Sequence, residues 1–222
     1  MASSVRACAA GIAIVAGLFG VVSAAAADPV EPLTIGLVAV DHAQLPERVL
    51  ARAQTEAARI YRSAGIKLVW SDTPDFSIPQ MIINIVSKPT GARLTIPDGL
   101  AVKAADSRVL GVAPGHKDRR DLNVWAFYER IEDSATLLGL DPGLLLGHVI
   151  AHELGHLLLP YDSHSQSGLM RAGWDKAQAS NAVMGNLKFN PGESGLVRRS
   201  VARIAVAQRD SSTLITGTST PK

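Results

Sequence analysis

The chain has 222 residues, of which 47% are hydrophobic and 19% charged, enough apolar material for one globular domain with a real core. A net charge of +2 argues against nucleic acid or an anionic membrane surface as partner, and the basic stretch "KDRR" at residues 117–120 reads as a solvated turn. Cys8 is the only cysteine, so a chain lacking its first 27 residues has neither a disulfide nor a cysteine-based metal site.

At the N-terminus "MASSVR" carries one Arg, "ACAAGIAIVAGLFGVVSAAAA" is apolar and uncharged, and "DP" follows. A short positive region, an apolar run and small residues before a polar start describe a secretory signal peptide, with cleavage expected after Ala27. The competing reading is a retained membrane anchor, since the run is nearly long enough to span. Cleavage gives a secreted or periplasmic domain over residues 28–208, free of the membrane and expected to be monomeric, with a disordered tail at 209–222.

Along that domain "LTIGLVAV" (33–40) reads as a buried strand. "LPERVLARAQTEAARIYRSAG" (45–65) reads as an amphipathic helix, started by Pro46 and stopped by Gly65. Val49, Ala53, Ala57, Ile60 and Ala64 recur on its inner face; Arg48, Arg52, Glu56 and Arg59 take the outer one. "IKLVW" and "MIINIV" read as two further strands, residues 88–109 as a loop, and "LGVAP" (110–114) as a short edge strand limited by Pro114. "LNVWAFYERI" (122–131) reads as a strand. "DPGLLLGHVIAHELGHLLLP" is a helix with Asp141 as N-cap and Pro142 in its first turn, ending near Leu158 because Pro160 disfavours helix at Leu159. A polar loop follows from 161 to about 188. A last helix starts at Asn190, Pro191 and Glu193 and runs to about Ala207, with Val197, Val201 and Ile204 inward. The fold class implied is α+β: a small mixed β-sheet with a backing helix and an active-site helix, then a C-terminal helix.

His152, Glu153 and His156 form the pattern His-Glu-x-x-His inside the apolar helix. Residues four apart share a helix face, so both imidazoles can reach one ion. One zinc ion suits two neutral imidazoles, a third ligand from beyond the helix and an open position for water. Zinc lowers the pKa of that water to about 7, so Glu153, one position round the helix, can act as general base and then pass the proton to a leaving amine. The bland alternative, buried hydrogen-bonded histidines, would desolvate two His and a Glu with no apolar benefit.

This stretch resembles the zincin metallopeptidases and, within them, the metzincins, whose pattern is His-Glu-x-x-His-x-x-Gly-x-x-His followed by a Met-turn. Here "HELGH" is followed by "LLLPYD" and "SHSQSGLM", so the resemblance covers residues 149–170 at the level of motif. It implies a zincin-like fold, a zinc-dependent peptidase acting on a peptide or protein substrate, and Met170 as the Met-turn methionine packed under the zinc. The sequence departs from the pattern where the family's glycine is Leu159, followed by Pro160. Strict spacing puts Asp162 at the third-ligand position; His164 lies two residues later and is preferred, because "HS…GLM" matches the end of a metzincin site and three imidazoles leave the ion its full charge. Asp162 is then expected to orient an imidazole.

Other residues carry alternatives. His148, four before His152, is expected on the helix surface or orienting a ligand. Tyr161 and Arg171 are candidates for stabilising an oxyanion, with surface or packing roles favoured. Glu193 is a third-ligand candidate in the gluzincin manner, but its place at a helix start favours a capping role. "LGVAP" is either an ordinary edge strand or one that pairs with an extended peptide. Three functions compete: a secreted zinc endopeptidase; a zinc-binding domain that is inactive or hydrolyses another amide; and a membrane-anchored interaction module with a structural zinc. The last needs a fourth protein ligand, from His148 or Asp162.

Overall fold

The computed structural model describes residues 32–75, 77–87, 106–113, 122–160 and 163–216, with side chains through residue 210. The signal-peptide reading at 1–27, most of the 88–109 loop, Tyr161 and Asp162 lie outside the described residues.

Among the described residues five strands form one sheet: β1 (Leu33–Asp41), β2 (Ile66–Ser71), β3 (Gln80–Val86), β4 (Gly111–Val112) and β5 (Asn123–Phe127), in the order β2-β1-β3-β5-β4. β1 runs parallel to β2 and β3, and β3 runs parallel to β5. Only β4, at the edge, is antiparallel. The sheet is therefore mixed, and the fold class is α+β as expected.

Helix α1 (Glu47–Ser63) links β1 to β2. A parallel pair needs such a crossover, because a hairpin can only reverse the chain. Alternate residues of the strands, Ile35 and Leu37 of β1, Met81, Ile83 and Ile85 of β3, and Val124 and Ala126 of β5, join the inner face of α1 in one core cluster. Each large aliphatic side chain buried there contributes about 1.5–3 kcal/mol. A smaller cluster holds Val86, Val112, Trp125 and Phe127.

The Asp141 helix is α3 (Pro142–Leu158); the Asp141 carboxylate accepts from the Leu144 amide at 2.9 Å, as the N-cap reading requires. Leu159 is already extended. Almost every residue of α3 is buried, which explains an apolar sequence with no polar face. α3 lies very close to α1. A side-chain carbon added at Gly147 would stand 2.7 Å from the Ala53 carbonyl oxygen, and one at Gly143 2.7 Å from that of Val49. Two glycines four apart on one face are what let the helix backbones approach. Among the described residues no single helix is long and apolar enough to cross a membrane.

Four expectations are corrected. The strand read over 122–131 ends at Phe127, and α2 (Tyr128–Leu138) starts at once; Tyr128, Ile131 and Ala135 are buried at helical spacing, and Gly139 ends the helix in the left-handed region (φ +68°). The polar loop contains α4 (Lys176–Val183), started by a capping box in which Asp175 and Gln178 bond each other's backbone. The last helix, α5 (Pro191–Thr216), runs on past Ala207, so residues 209–216 of the expected disordered tail are helical; 217–222 lie outside the described residues. Glu56, assigned to the solvent face of α1, is buried, because it faces α3 and pairs with Arg59 of its own helix.

Candidate metal centre

α3 carries His152 and His156 four residues apart, and the chain leaves the helix at Leu159 in extended form and returns with His164. One ring nitrogen from each of the three imidazoles can be chosen so that all lie within 4.8 Å of one another. The rings stand 4.7 Å (His152 to His156), 4.8 Å (His156 to His164) and 5.5 Å (His152 to His164) apart, centre to centre. His152 is buried, His156 half-buried and His164 exposed, so the cluster opens toward solvent on the His164 side. The three residues expected to ligate the metal are thus brought together.

The outer nitrogens are already engaged. His152 Nδ1 lies 2.8 Å from the Leu169 carbonyl oxygen. A carbonyl only accepts, so Nδ1 carries the proton and Nε2 presents its lone pair. His156 Nδ1 lies 2.9 Å from Ser163 Oγ, a hydroxyl that either donates or accepts. The two Nε2 atoms are 3.0 Å apart. Two nitrogens on one tetrahedral zinc stand about 3.3 Å apart, so a few tenths of an ångström separate this arrangement from a ligating one. With no ion between them, His156 Nε2 donates to His152 Nε2 and the Ser163 hydroxyl donates to His156 Nδ1; with an ion on His156 Nε2 the Ser163 hydroxyl would turn and accept from Nδ1. The three imidazoles lie close enough together to bind one metal ion.

Burial lowers the His152 pKa to about 4; the Leu169 carbonyl opposes this and nearby His164 adds to it. The folded pKa lies below the value of about 6.5 of an unfolded chain, so the sign is fixed. In metal-free protein the unfolded chain takes up this proton first, and stability falls as pH drops from about 6.5 to about 4. The shift corresponds to about 3 kcal/mol. Urea midpoints of the chelated protein should therefore drop more steeply over that range for wild type than for His152→Gln. Equal pH slopes would contradict it.

Glu153 is buried beside the edge strand. A side-chain carbon at Gly111 of β4 would stand 2.8 Å from Glu153 Cγ and 3.0 Å from Oε1, so only glycine there leaves the carboxylate its place. Met170 is fully buried in the turn after His164, under α3: a carbon added at Gly155 would meet its sulfur at 2.6 Å. The turn is closed by the Ser165 amide donating to the Met170 carbonyl at 2.9 Å.

The remaining candidates are placed elsewhere. His148 is not on the helix surface: it is fully buried, donates from Nδ1 to the Leu144 carbonyl at 2.9 Å and faces Glu56, so it is no fourth ligand. Arg171 is engaged by Asp175 at 2.9 Å and by Gln178, at the start of α4. Glu193 caps α5: its carboxylate accepts from the Asn190 amide at 2.8 Å while Asn190 Oδ1 accepts from the Glu193 amide at 2.9 Å. Sequence reasoning missed Ser163, the Leu169 carbonyl and Trp174, whose ring stands edge-on to His152 at 5.7 Å. A backbone carbonyl has no sequence signal, and neither does a serine that matters only through its neighbour's orientation. Comparison with protein-family models and with curated proteins finds no match to this chain.

Proposed function

We propose that the chain is a secreted, metzincin-like zinc metallopeptidase that hydrolyses peptide bonds, with zinc held by His152, His156 and His164. The observation that carries the reading is the convergence of the three imidazoles around one point, with the Nδ1 atoms of His152 and His156 turned outward to Leu169 and Ser163. Outward partners of this kind set the tautomer and raise the basicity of a metal-ligating histidine. When bound, the ion supplies a Lewis acid and an acidic water near neutral pH.

Glu153 then acts as the base. Its carboxylate, one position from His152, takes the proton of the attacking water and passes it to the leaving amine. The second support is the place of β4. It is the sheet edge nearest Glu153, so an extended peptide added there would run past the carboxylate. Met170, buried beneath α3, supports the same reading. Of the two fourth ligands open to a structural zinc, His148 faces Leu144 and Glu56 instead, and Asp162 lies outside the described residues.

Purified protein is expected to contain one zinc per chain and to hydrolyse an unfolded protein substrate. Chelation should stop hydrolysis and lower the melting temperature, since an ion bound only by the folded chain at 100 times its Kd adds about 2.7 kcal/mol. Metal analysis and a melting curve with and without chelator check this. Protein that holds no metal and takes up none would sink the proposal.

A further inference from the structure

Behind the ligand helix lies a buried polar cluster that the hydrolytic chemistry does not use. Glu56 of α1 accepts from Arg59 Nε at 3.1 Å on each oxygen and from Arg59 Nη2 at 2.6 Å. The third nitrogen of that guanidinium, Nη1, donates to the Gly185 carbonyl at 2.9 Å. His148 of α3 stands with Nε2 3.5 Å from Glu56 Oε1. Glu56 is buried while Arg59 is part-exposed, so the desolvation cost falls on the carboxylate, and the bonds it accepts from Arg59 offset it.

Gly185 begins the segment that returns from α4 to the core. It sits in the left-handed region (φ +73°), and the Asn186 and Leu187 amides donate back to the Asn181 carbonyl at 2.7 and 3.1 Å. Leu187 and Phe189 are buried, and Phe189 meets Tyr61 of α1 edge-on at 5.3 Å. Between them, the Lys188 carbonyl accepts from the Leu169 amide at 3.0 Å. The Leu169 carbonyl in turn accepts from His152 Nδ1. A continuous path of bonds thus runs from Glu56 and Arg59 through residues 185–188 and the 168–170 turn to a metal-ligand imidazole.

We propose that Arg59, held in place by Glu56, is a positioning residue for the metal centre: it anchors the 185–188 segment that fixes the Leu169 carbonyl, and so sets the tautomer and tilt of His152. The inference rests on the three-histidine metal reading above. An arginine is required because one planar fork must reach Glu56 with two nitrogens and Gly185 with the third; a lysine ammonium is a point charge on a single stem. Arg59 is part-exposed beside the α4 terminus, so its replacement does not open a cavity in the apolar core.

The test measures zinc affinity by competition with a chelator, and the visible spectrum of the cobalt(II)-substituted protein, in Arg59→Lys and Glu56→Gln. The cobalt spectrum responds to ligand geometry and is not moved by loss of global stability alone. Both variants are expected to bind zinc about 10-fold or more weakly, the lower end of what loss of a ligand-orienting partner costs, with an altered cobalt spectrum. Two controls should keep wild-type affinity and spectrum: Arg62→Lys, exposed on the same helix, and Val201→Ala, a core truncation on α5 that lowers the melting temperature. Wild-type affinity and spectrum in Arg59→Lys would overturn the inference, as would an equal loss of affinity in Val201→Ala. If Arg59→Lys does not fold, Glu56→Gln decides by the same measurement. Failure of the wild-type protein to bind metal is a separate result, and overturns the metal reading itself.

Discussion

Replacing Glu153 with glutamine is expected to leave zinc content and fold intact and to reduce hydrolysis of an unfolded protein substrate by about 10²–10⁴-fold, the range of a positioned general base. The amide has the shape of the carboxylate and fits the same space against Gly111, but it cannot take a proton. The residue is not one of the three converging imidazoles, so the ligand set is untouched. Metal analysis and a rate measurement on the same preparation check both halves. Hydrolysis at the wild-type rate would remove Glu153 from the mechanism. Loss of metal together with activity would instead make Glu153 part of the ligand structure.

His164→Ala is expected to weaken zinc binding by orders of magnitude, while Asp162→Ala weakens it about 10–100-fold. His152 and His156 are pre-placed by the turns of one helix, and their outer nitrogens are held by Leu169 and Ser163. Two imidazoles alone leave half of a tetrahedral site to solvent. His164 is the third imidazole of the cluster, on a segment shaped by the exit at Leu159 and by the Ser165-to-Met170 bond. Because it is exposed, its removal leaves no buried cavity, and the metal-free melting temperature should stay near that of wild type. Competition with a zinc chelator measures the ranking. The opposite order would transfer the third ligand to Asp162.

The α3 helix was legible from sequence because its signals are local. The Asp141 cap, Pro142 and the break at Pro160 act within a few residues, and the i, i+4 spacing of His152 and His156 is a property of any helix. β1 and α1 were legible for the same reason: period-3.6 and continuous apolar patterns are consequences of one buried face. α2 and α4 were missed although their signals are present, a buried triplet at Tyr128, Ile131 and Ala135, and the Asp175–Gln178 capping box. In α2 the β-rich residues before it masked the change of period; in α4 only Ala179 and Ala182 are buried, too little to form a stripe.

What the sequence determined by itself was the pair of histidines on one face with a glutamate beside them, since that needs nothing but helical geometry. The tertiary structure decided the rest. That His164 reaches the pair depends on the path of a non-helical segment, which no periodicity encodes. That Glu56 turns inward depends on the nearness of α1 and α3 across Gly143 and Gly147, since a polar residue takes the buried side only where a partner waits there. The tautomer of His152 depends on a carbonyl seventeen residues away, itself fixed by Lys188. A backbone oxygen is the same in every residue, so only the fold can say which imidazole it faces.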